Sequence, residues 1–486
     1  MRARAVHSGK WVLVENVAAR ALSLLMFTIL ARLLAPEDFG LLSLAVVVIS
    51  LCGLFVDTGV SESVIQREQI GRDMLDTAFW LSVLAGTVLC LICLAAAGPV
   101  ASFYDEPDLA PVLRVLSLAL LLQSLTSVQD ALLRRELRFR AAAARRMLAS
   151  VVGSTIGVTW AIASPSVWAL VAQYLATSAA GLIVLWSVSG YRPGVNASTR
   201  QARSLIDFGL NVLGMRLAFF AGEHGDNFLI GLVLGPRALG YYVIGYRIFR
   251  IITEVVTATL TAVTLPVFSR MQGDRERLVR AFLSITRLSV VIAVPVFAAG
   301  AVLAPDLVPT LFGEQWQPSI EVMQILSLAG LVLCVAAFDR SALIAVGRVR
   351  LELAVAVSGA LASLVAFAIG VQFGITGVAI AIVVRAYLFW PVRMLALRAA
   401  TGMPLGTYFE QWLRPVCCGL GMVLAMVAAR EVVPDPARFT AEAIAGAVTY
   451  GALLWFIAPE GFRELTTTAH GVLPSRGRPA MAPPPG

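Results

Sequence analysis

The chain has 486 residues, of which 58% are hydrophobic and 14% are charged, and its mean hydropathy is +0.82. Soluble globular domains contain nearer half apolar and about a quarter charged residues, so this composition excludes the soluble class and indicates a polytopic membrane protein. The net charge of +8 is carried by arginine, because Lys10 is the single lysine. No basic and aromatic RNA-binding motif or DNA-reading helix accompanies that charge, so we expect no nucleic-acid partner.

Apolar runs of about 20 residues, the length that spans a bilayer, predict about fourteen helices and an all-α polytopic membrane fold. The first six are predicted at 12–33, 39–61, 76–101, 109–133, 146–163 and 166–188. The next six are predicted at 205–234, 238–268, 280–312, 318–346, 351–371 and 373–398, and the last two at 408–428 and 440–458. A basic arm (1–11) precedes them with no cleavable signal peptide, and a proline-rich tail (461–486) is predicted to be disordered.

The connections between these helices alternate in charge. Nearly all loop arginines lie in alternate connections, such as RRELRFRAAAARR and RMLALRAA, whereas the others are acidic or neutral, such as LAPEDFG and YDEPDLAP. The positive-inside rule places the arginine-rich loops and both termini in the cytoplasm. We name the two ends of the helix bundle the arginine-rich end and the opposite end.

The two halves of the chain resemble each other. LLAPEDFGLLSLAV (33–46) aligns with VLGPRALGYYVIGY (233–246), so that Pro36 matches Pro236 and Gly40 matches Gly240; LRVLSLA aligns with MQILSLA, and FYDEP with LFGEQW. Six spans separate the copies, so both have the same orientation, and their pseudo-two-fold axis runs along the membrane normal. We therefore predict an N-lobe (12–190), a cytoplasmic linker (191–204), a C-lobe (205–400) and two additional C-terminal helices (401–460), with a central cavity between the lobes.

Two neighbouring spans carry stripes of charged and polar residues on otherwise apolar helices. At about 100° per residue, Arg216, Glu223 and Asn227 fall within roughly 40° of one another, and Arg247, Arg250 and Glu254 within about 60° on the next helix. An ionisable side chain at membrane depth costs a few kcal/mol or more, so it usually faces a partner or water. The stripes therefore predict a water-filled passage, with internal salt bridges between the helices as the alternative.

Other intramembrane charges extend this pattern. Asn16, Arg20 and Ser23 share one face of the first helix, which is the repeat equivalent of the helix bearing Arg216, and we predict that Arg20 faces the cavity. Asp339 and Arg340 are read as a local pair, and Arg385 as a structural residue.

The pattern D-x-x-x-I-G-x-x-L-G-x-x-x-L-G-x-Y occupies Asp226 to Tyr242. Together with FTILARLLAPEDFGLLSLA and FVDTGVSESVIQRE, it resembles the polysaccharide flippase branch of the MOP superfamily, in particular the exopolysaccharide, colanic and teichuronic acid exporters. The resemblance implies a flippase in the bacterial inner membrane. Its substrate would be an undecaprenyl-pyrophosphate-linked oligosaccharide, moved outward by alternating access, with a polysaccharide polymerase and a chain-length regulator as partners.

Physical chemistry assigns roles to the striped residues under this reading. Arginine presents a fixed fork of donors suited to phosphate oxygens, so we expect the substrate-binding residues to be Asn16, Arg20, Arg216, Asn227, Arg247 and Arg250. Carboxylates beside arginines can bind and release H⁺ or Na⁺, and the expected ion-coupling residues are Glu223, Asp226 and Glu254. The alternative for Asp226 is a helix-end or salt-bridge role. No other cofactor and no metal site is expected, because Cys90 and Cys93, at C-x-x-C spacing, lack a histidine or a second pair nearby.

Three other functions stay open or are disfavoured. A MATE-type drug or cation antiporter would share the architecture but would need an acidic, arginine-poor cavity. A peptidoglycan-precursor flippase has the same physical requirements with a different glycan. A membrane glycosyltransferase or polymerase needs catalytic residues on a sizeable loop, and these short loops contain no nucleophile–base set, so we expect no enzymatic activity.

Overall fold

A computed structural model describes residues 23–57, 63–65, 70–136, 138–269, 274–434 and 437–459. The predicted arm (1–11) and tail (461–486) lie outside these described residues, as do Asn16 and Arg20.

Fourteen helices, besides short turns, follow one another through the described residues. The first six are α1 (Ser23–Leu33), α2 (Pro36–Val56), α3 (Arg72–Phe103), α4 (109–135), α5 (Phe139–Ala163) and α6 (Val167–Val188). The next six are α7 (199–234), α8 (236–269), α9 (Arg275–Phe312), α10 (Ser319–Ala345), α11 (Val349–Gly370) and α12 (Gly374–Thr401). The last two are α13 (Leu405–Val432) and α14 (Arg438–Ile457).

Ten stretches of the described chain are long and apolar enough to cross a membrane, and α4 makes eleven if its two bent parts form one span. Two of the ten contain a chain reversal and hold two helices each: Leu213–Glu254 (42 residues) reverses at Gly235, and Val349–Thr401 (53 residues) at Gly374. Both glycines have positive φ, 78° and 77°, which glycine adopts at no steric cost. With α1, the predicted all-α fold of fourteen helices is confirmed.

Helix α4 is broken where the sequence predicts one continuous helix. Its segments are Leu109–Leu116, Leu118–Ser124 and Ser127–Arg135, with a bend of 43° before the last. Hydroxyl groups at the breaks bond to nearby backbone: Ser117 Oγ donates to the Arg114 carbonyl at 2.6 Å and Thr126 Oγ1 to that of Gln123 at 2.8 Å. Such local bonds compete with the helical ladder.

The segment between α6 and α7 packs against the start of α3. Asp76, which is buried, accepts hydrogen bonds from Tyr191 Oη (2.7 Å) and from the Gly194 amide (2.9 Å), and Trp80 Nε1 donates to the Gly194 carbonyl (2.8 Å). Helix α7 starts at Thr199, six residues before its predicted start. The segment is therefore shorter than predicted and is fixed to the first half of the chain.

The two sequence repeats meet in a reciprocal contact at the opposite end. A Cβ at Gly40 would overlap the carbonyl oxygen of Pro236, and a Cβ at Gly240 would overlap that of Pro36. Residue i of one copy touches residue j of the other, and j touches i, which is the signature of a two-fold relation. Helices α2 and α8 therefore cross backbone to backbone about the predicted pseudo-two-fold axis.

The loops after α3 and α9 are equivalent as well. Asp105 has φ 56° and is the single non-glycine residue with positive φ in the described ranges, and Gly313, at the matching place in LFGEQW, has φ 107°. Both loops thus turn through a left-handed residue, once with glycine and once with aspartate, which tolerates this region better than most residues.

Apolar packing closes the interface between the halves at the opposite end. One buried cluster contains residues of both repeats, among them Leu44, Ile230 and Leu326. Helices α13 and α14 pack against helices of the second half: Tyr450 Oη donates to the Val291 carbonyl of α9 at 2.8 Å, Gly419 packs against Val294, and Trp390 Nε1 of α12 donates to Tyr408 Oη at 3.1 Å. The additional pair therefore belongs with the second half of the chain.

Candidate functional site

Arg216 links α7 to the end of α2 near the arginine-rich end. Its Nη2 lies 3.3 Å from Asp57 Oδ2, and its Nη1 donates to the Asp57 carbonyl at 3.1 Å. Asp57 is the C-cap of α2, so the guanidinium meets a carboxylate and the negative end of a helix together. The pair joins the two repeats across their interface.

Arg247 faces the first helix. Its Nη2 donates to Ser23 Oγ at 3.4 Å, its guanidinium carbon lies 5.2 Å from the Phe27 ring, and its buried Nε has no acceptor among the described residues. Ser23 belongs to the polar stripe that the sequence predicts on this helix, so the described part of that stripe faces α8. The predicted neighbours Asn16 and Arg20 lie outside the described residues.

Arg250 and Glu254 form an ion pair one turn apart on α8. Arg250 Nε lies 2.9 Å from Glu254 Oε1, and the side chains are 50% and 43% exposed. A residue predicted to bind phosphate therefore contacts one predicted to couple to an ion, but both belong to α8, so the pair is not one of the salt bridges between helices that the alternative proposed. Their exposure leaves both accessible from the space outside the packed core.

Asp226 and Tyr242 join α7 to α8 inside the protein. Tyr242 Oη donates to Asp226 Oδ2 at 2.7 Å, the amide of Asn227 donates to Oδ1 at 2.7 Å, and Asp226 is buried. These two residues are the first and last of the D-x-x-x-I-G…G-x-Y motif, which thereby closes the hairpin around Gly235. Glu223, one turn earlier, is exposed, and Asn227 is half-buried.

A cavity of about 350 Å³ lies between α7, α10, α11 and α12, towards the arginine-rich end. We name it the C-lobe cavity. Its charged lining residues are Glu223, Arg340, Glu352, Arg385 and Arg393. Of these five residues, only Glu223 belongs to a charged stripe predicted from the sequence.

Arg393 lies at the centre of an ion-pair network beside this cavity. It lies 3.6 Å from Asp339 Oδ2 and 3.6 Å from Glu352 Oε2, and Arg340 lies 4.0 Å from Glu352 Oε1. Adjacent helical residues point about 100° apart, so the predicted local pair of Asp339 with Arg340 is wrong. Arg393 lies within the predicted helix 373–398 but was also counted with the arginine-rich connection RMLALRAA; α12 continues to Thr401, so this stretch is helical.

Arg385 has no carboxylate within ion-pair distance among the described residues. Its Nε is buried and has no hydrogen-bond acceptor there, and the residue is the twelfth of the 28 in α12. A guanidinium stays protonated under these conditions. The structure thus places an unmatched positive charge beside a cavity near the middle of a span, and the structural role predicted for Arg385 has no described partner to support it.

The first repeat has a cavity at the equivalent place. It measures about 320 Å³ and is lined by α4, α5 and α6, the counterparts of α10, α11 and α12. Gln123, Thr126, Arg145 and Arg146 are among its lining residues; Arg145 pairs with Asp130 at 2.7 Å, and Arg146 is exposed. We name it the N-lobe cavity.

Comparison with known proteins decides the family. The family model described as "Polysaccharide biosynthesis protein" matches residues 29–321, more than half of the chain. The chain belongs to the polysaccharide biosynthesis protein family. This confirms the resemblance drawn from the Asp226–Tyr242 motif and the segments around α2.

Relatives within this family carry informative names. The lipopolysaccharide biosynthesis protein WzxC of Escherichia coli (strain K12) is 28% identical over 355 residues, 72% of each chain. The succinoglycan biosynthesis transport protein ExoT of Rhizobium meliloti (strain 1021) is 27% identical over 319 residues, 66% of this chain and 65% of its own. The teichuronic acid biosynthesis protein TuaB of Bacillus subtilis (strain 168) is 21% identical over 345 residues, 70% and 71% of the two chains.

Solved structures confirm the fold. The lipid II flippase MurJ in an inward closed conformation matches with a TM-score of 0.76 at 11% identity, over 93% of this chain and 99% of its own. An inward-facing multidrug resistance MATE family transporter of the MOP superfamily matches with a TM-score of 0.59 at 17% identity, over 78% and 96%. This family member is therefore a multi-pass membrane protein with the fold of MOP superfamily transporters.

Proposed function

We propose that this protein is a flippase that moves undecaprenyl-pyrophosphate-linked oligosaccharide repeat units from the cytoplasmic to the outer leaflet for surface polysaccharide biosynthesis. The family match and the names of the relatives support polysaccharide export. The observation that carries the proposal is the pair of arginines, Arg247 and Arg385, that lie within spans without a carboxylate partner among the described residues. A pyrophosphate supplies the negative charge that such groups lack.

The same observation weighs against a drug or cation antiporter. A cationic cargo would have to pass unmatched guanidinium groups in a low-dielectric region, where like charges repel strongly. An anionic lipid head group meets attraction at the same places. We therefore take the MATE-like fold as evidence for the arrangement of the helices and not for the kind of cargo.

Alternating access is the mechanism we propose. The closed contact of α2 with α8 at the opposite end leaves the arginine-rich end as the side from which cargo is received, and we place that end and both termini in the cytoplasm of a bacterial inner membrane. The lobes move as the predicted units, 12–190 and 205–400, with 401–460 carried by the second. The phosphates meet Arg247 directly, and they meet Arg216 and Arg250 when these exchange their partners Asp57 and Glu254 for the cargo.

Ion coupling is a separate part of the proposal. Asp226 and Glu254 already have partners, Tyr242 and Arg250, whereas Glu223 is exposed and lines the C-lobe cavity. We therefore propose Glu223 as the carboxylate that binds H⁺ or Na⁺. Transport that persists unchanged after collapse of both gradients would argue against coupling.

The decisive experiment follows the lipid-linked repeat unit after deletion of the gene. We expect the unit to accumulate on the inner leaflet, and the wild-type chain to restore export. Arg247→Glu should abolish export because reversed charge repels phosphate, whereas Arg280→Gln, in an exposed pair at the start of α9 that lines neither cavity, should not. Export that is intact with Arg247→Glu would remove the phosphate role from this residue.

A second candidate is a flippase for a peptidoglycan precursor, favoured by the TM-score of 0.76 to the lipid II flippase. Such a protein would restore growth to a strain lacking its own lipid II flippase. We expect no rescue, because the family match is to polysaccharide biosynthesis.

A further inference from the structure

An apolar groove of about 780 Å³ runs between α11 and α12 from the opposite end to the middle of the bundle. Its floor is made of small residues, Ala362, Ala366, Gly370, Gly377 and Ala381. The tight contact of Gly370 with the Gly377 carbonyl draws the two helices together there, since neither position has room for a Cβ.

Bulky side chains form the rim of this groove. They are Val365, Ile369, Phe373, Ile380, Val384 and Leu388, and each is exposed at its outer surface. Small residues below and large residues above create a channel that a linear apolar chain can occupy. In a bilayer this channel opens towards lipid, because its rim has no protein cover among the described residues.

Arg385 and Phe389 line both this groove and the C-lobe cavity. The groove therefore ends at the unmatched guanidinium, and beyond it lies the C-lobe cavity of about 350 Å³ with its charged side chains. The order is apolar channel, positive charge and a cavity with charged groups, which matches a molecule built as hydrocarbon tail, phosphate and sugar.

The depth of Arg385 restricts which lipid fits. At 1.5 Å per residue, its place as the twelfth residue of α12 puts it roughly 18 Å from that end of the helix, near the middle of a hydrocarbon layer about 30 Å thick. An ordinary phospholipid keeps its phosphate at the membrane surface. A phosphate at mid-depth belongs to a lipid that is crossing.

We infer that the α11–α12 groove together with Arg385 binds the polyprenyl phosphate carrier during translocation, with the tail in the groove and a phosphate oxygen on the guanidinium. This inference rests on the proposed function and adds a tail-binding site to it. Arg393, at the same cavity, is neutralised by Asp339 and Glu352 and takes no part in binding the phosphate.

The test measures binding of undecaprenyl phosphate and of uncharged undecaprenol to the purified full chain by native mass spectrometry. Arg385→Gln should weaken the binding of undecaprenyl phosphate at least about tenfold, because a charge-assisted contact is lost. The binding of undecaprenol should be unchanged. Arg385→Lys should recover much of the loss. Ala366→Trp fills the groove and should weaken the binding of both lipids.

Arg280→Gln serves as the matched control, because Arg280 pairs with Glu276 at the exposed start of α9, where the side chains are 70% and 88% exposed, and lines neither cavity nor groove. It should bind both lipids as the wild type does. Undiminished binding of undecaprenyl phosphate by Arg385→Gln, or equal competition by phosphatidylglycerol, would overturn the inference. The Ala366→Trp variant keeps the test informative if Arg385→Gln fails to fold.

Transport separates this inference from the flippase proposal. If the wild type moves lipid-linked oligosaccharide in proteoliposomes and Arg385→Gln moves it equally well, the flippase proposal is supported and the proposed Arg385 site is wrong. If the wild type moves none but binds undecaprenyl phosphate through Arg385, the site is supported and the flippase proposal is wrong.

Discussion

The N-lobe and C-lobe cavities occupy equivalent places in the two repeats and differ in how their arginines are matched. In the first, Arg145 pairs with Asp130 at 2.7 Å, and both side chains are 19% exposed. In the second, Arg393 is matched by two carboxylates, while Arg385 is matched by none among the described residues and adjoins an apolar groove. Arg146, which also lines the N-lobe cavity, has no ion pair among the described residues either, but it is exposed, whereas Arg385 has a buried Nε. The repeat thus preserves the scaffold, and the charges inside it have diverged, so that the second cavity holds a partly buried guanidinium without a described counter-charge.

Removing Arg393 should give the largest loss of stability and would sharpen this difference. Arg393→Leu leaves Asp339 and Glu352, which are 0% and 8% exposed, without their main counter-charge. Breaking a buried pair in this way costs about 3–5 kcal/mol. The midpoint of thermal unfolding in detergent should fall clearly, whereas Arg145→Leu, whose partner reaches solvent, should lower it much less. Equal losses would remove the distinction between the cavities.

Alanine at the reciprocal glycines tests the symmetry itself. Gly40→Ala and Gly240→Ala each drive a methyl group into a proline carbonyl of the other repeat, and overpacking of this kind costs about 1–3 kcal/mol. We expect similar decreases in the unfolding midpoint for the two variants. Gly451→Ala in α14, where no atom lies within 4 Å of the added methyl, is the control and should be neutral or stabilising. A large effect at only one of the two glycines would contradict a two-fold contact.

The link between Arg216 and Asp57 should be weaker. Both side chains are about one-fifth exposed, at 21% and 22%, so a double-mutant cycle with Arg216→Gln and Asp57→Asn should yield a coupling of about 1 kcal/mol. Additive effects of the two substitutions on the unfolding midpoint would mean that the pair contributes nothing in the membrane protein as purified.

The smallest effect is expected for Glu37 and Arg237, which hold equivalent positions in the repeats and pair at 3.1 Å. Their side chains are 44% and 69% exposed, and such surface pairs contribute below about 0.5 kcal/mol and are screened by salt. Arg237→Gln should leave the unfolding midpoint nearly unchanged at 1 M salt. A substantial loss at high salt would indicate a contact other than the ion pair.

Local patterns predicted most of the fold. Hydrophobic run length located the spans. The alignment of Pro36 with Pro236 and of Gly40 with Gly240 predicted the repeat, and the structure shows why these residues match: each glycine lies against the proline carbonyl of the other copy. The breaks in α4 were not predicted, since serine and threonine within an apolar run give no signal of which hydroxyl will bond to its own helix.

The candidate site was predicted less well, for a physical reason. Helical periodicity reports which residues share one helix face, but the C-lobe cavity collects residues from four helices whose rotations about their axes depend on packing. Arg393 lies within the predicted span 373–398, but counting RMLALRAA as a connection removed it from consideration as an intramembrane charge. Gly402, whose left-handed backbone (φ 68°) ends α12, shows that this stretch is helical. The lack of a carboxylate partner for Arg385 could not be predicted from the sequence, because it depends on where every neighbouring carboxylate points.

The crossing of α2 over α8 has a mechanical consequence. Two glycines let main chain rest on main chain there, so no side chains from the opposing surfaces interlock at that point. One turn further along α2, Leu44 does fill the space over Gly231 of the other half. One half can therefore pivot against the other about the glycine crossing, while Leu44 and the apolar cluster beside it must separate for the contact to open.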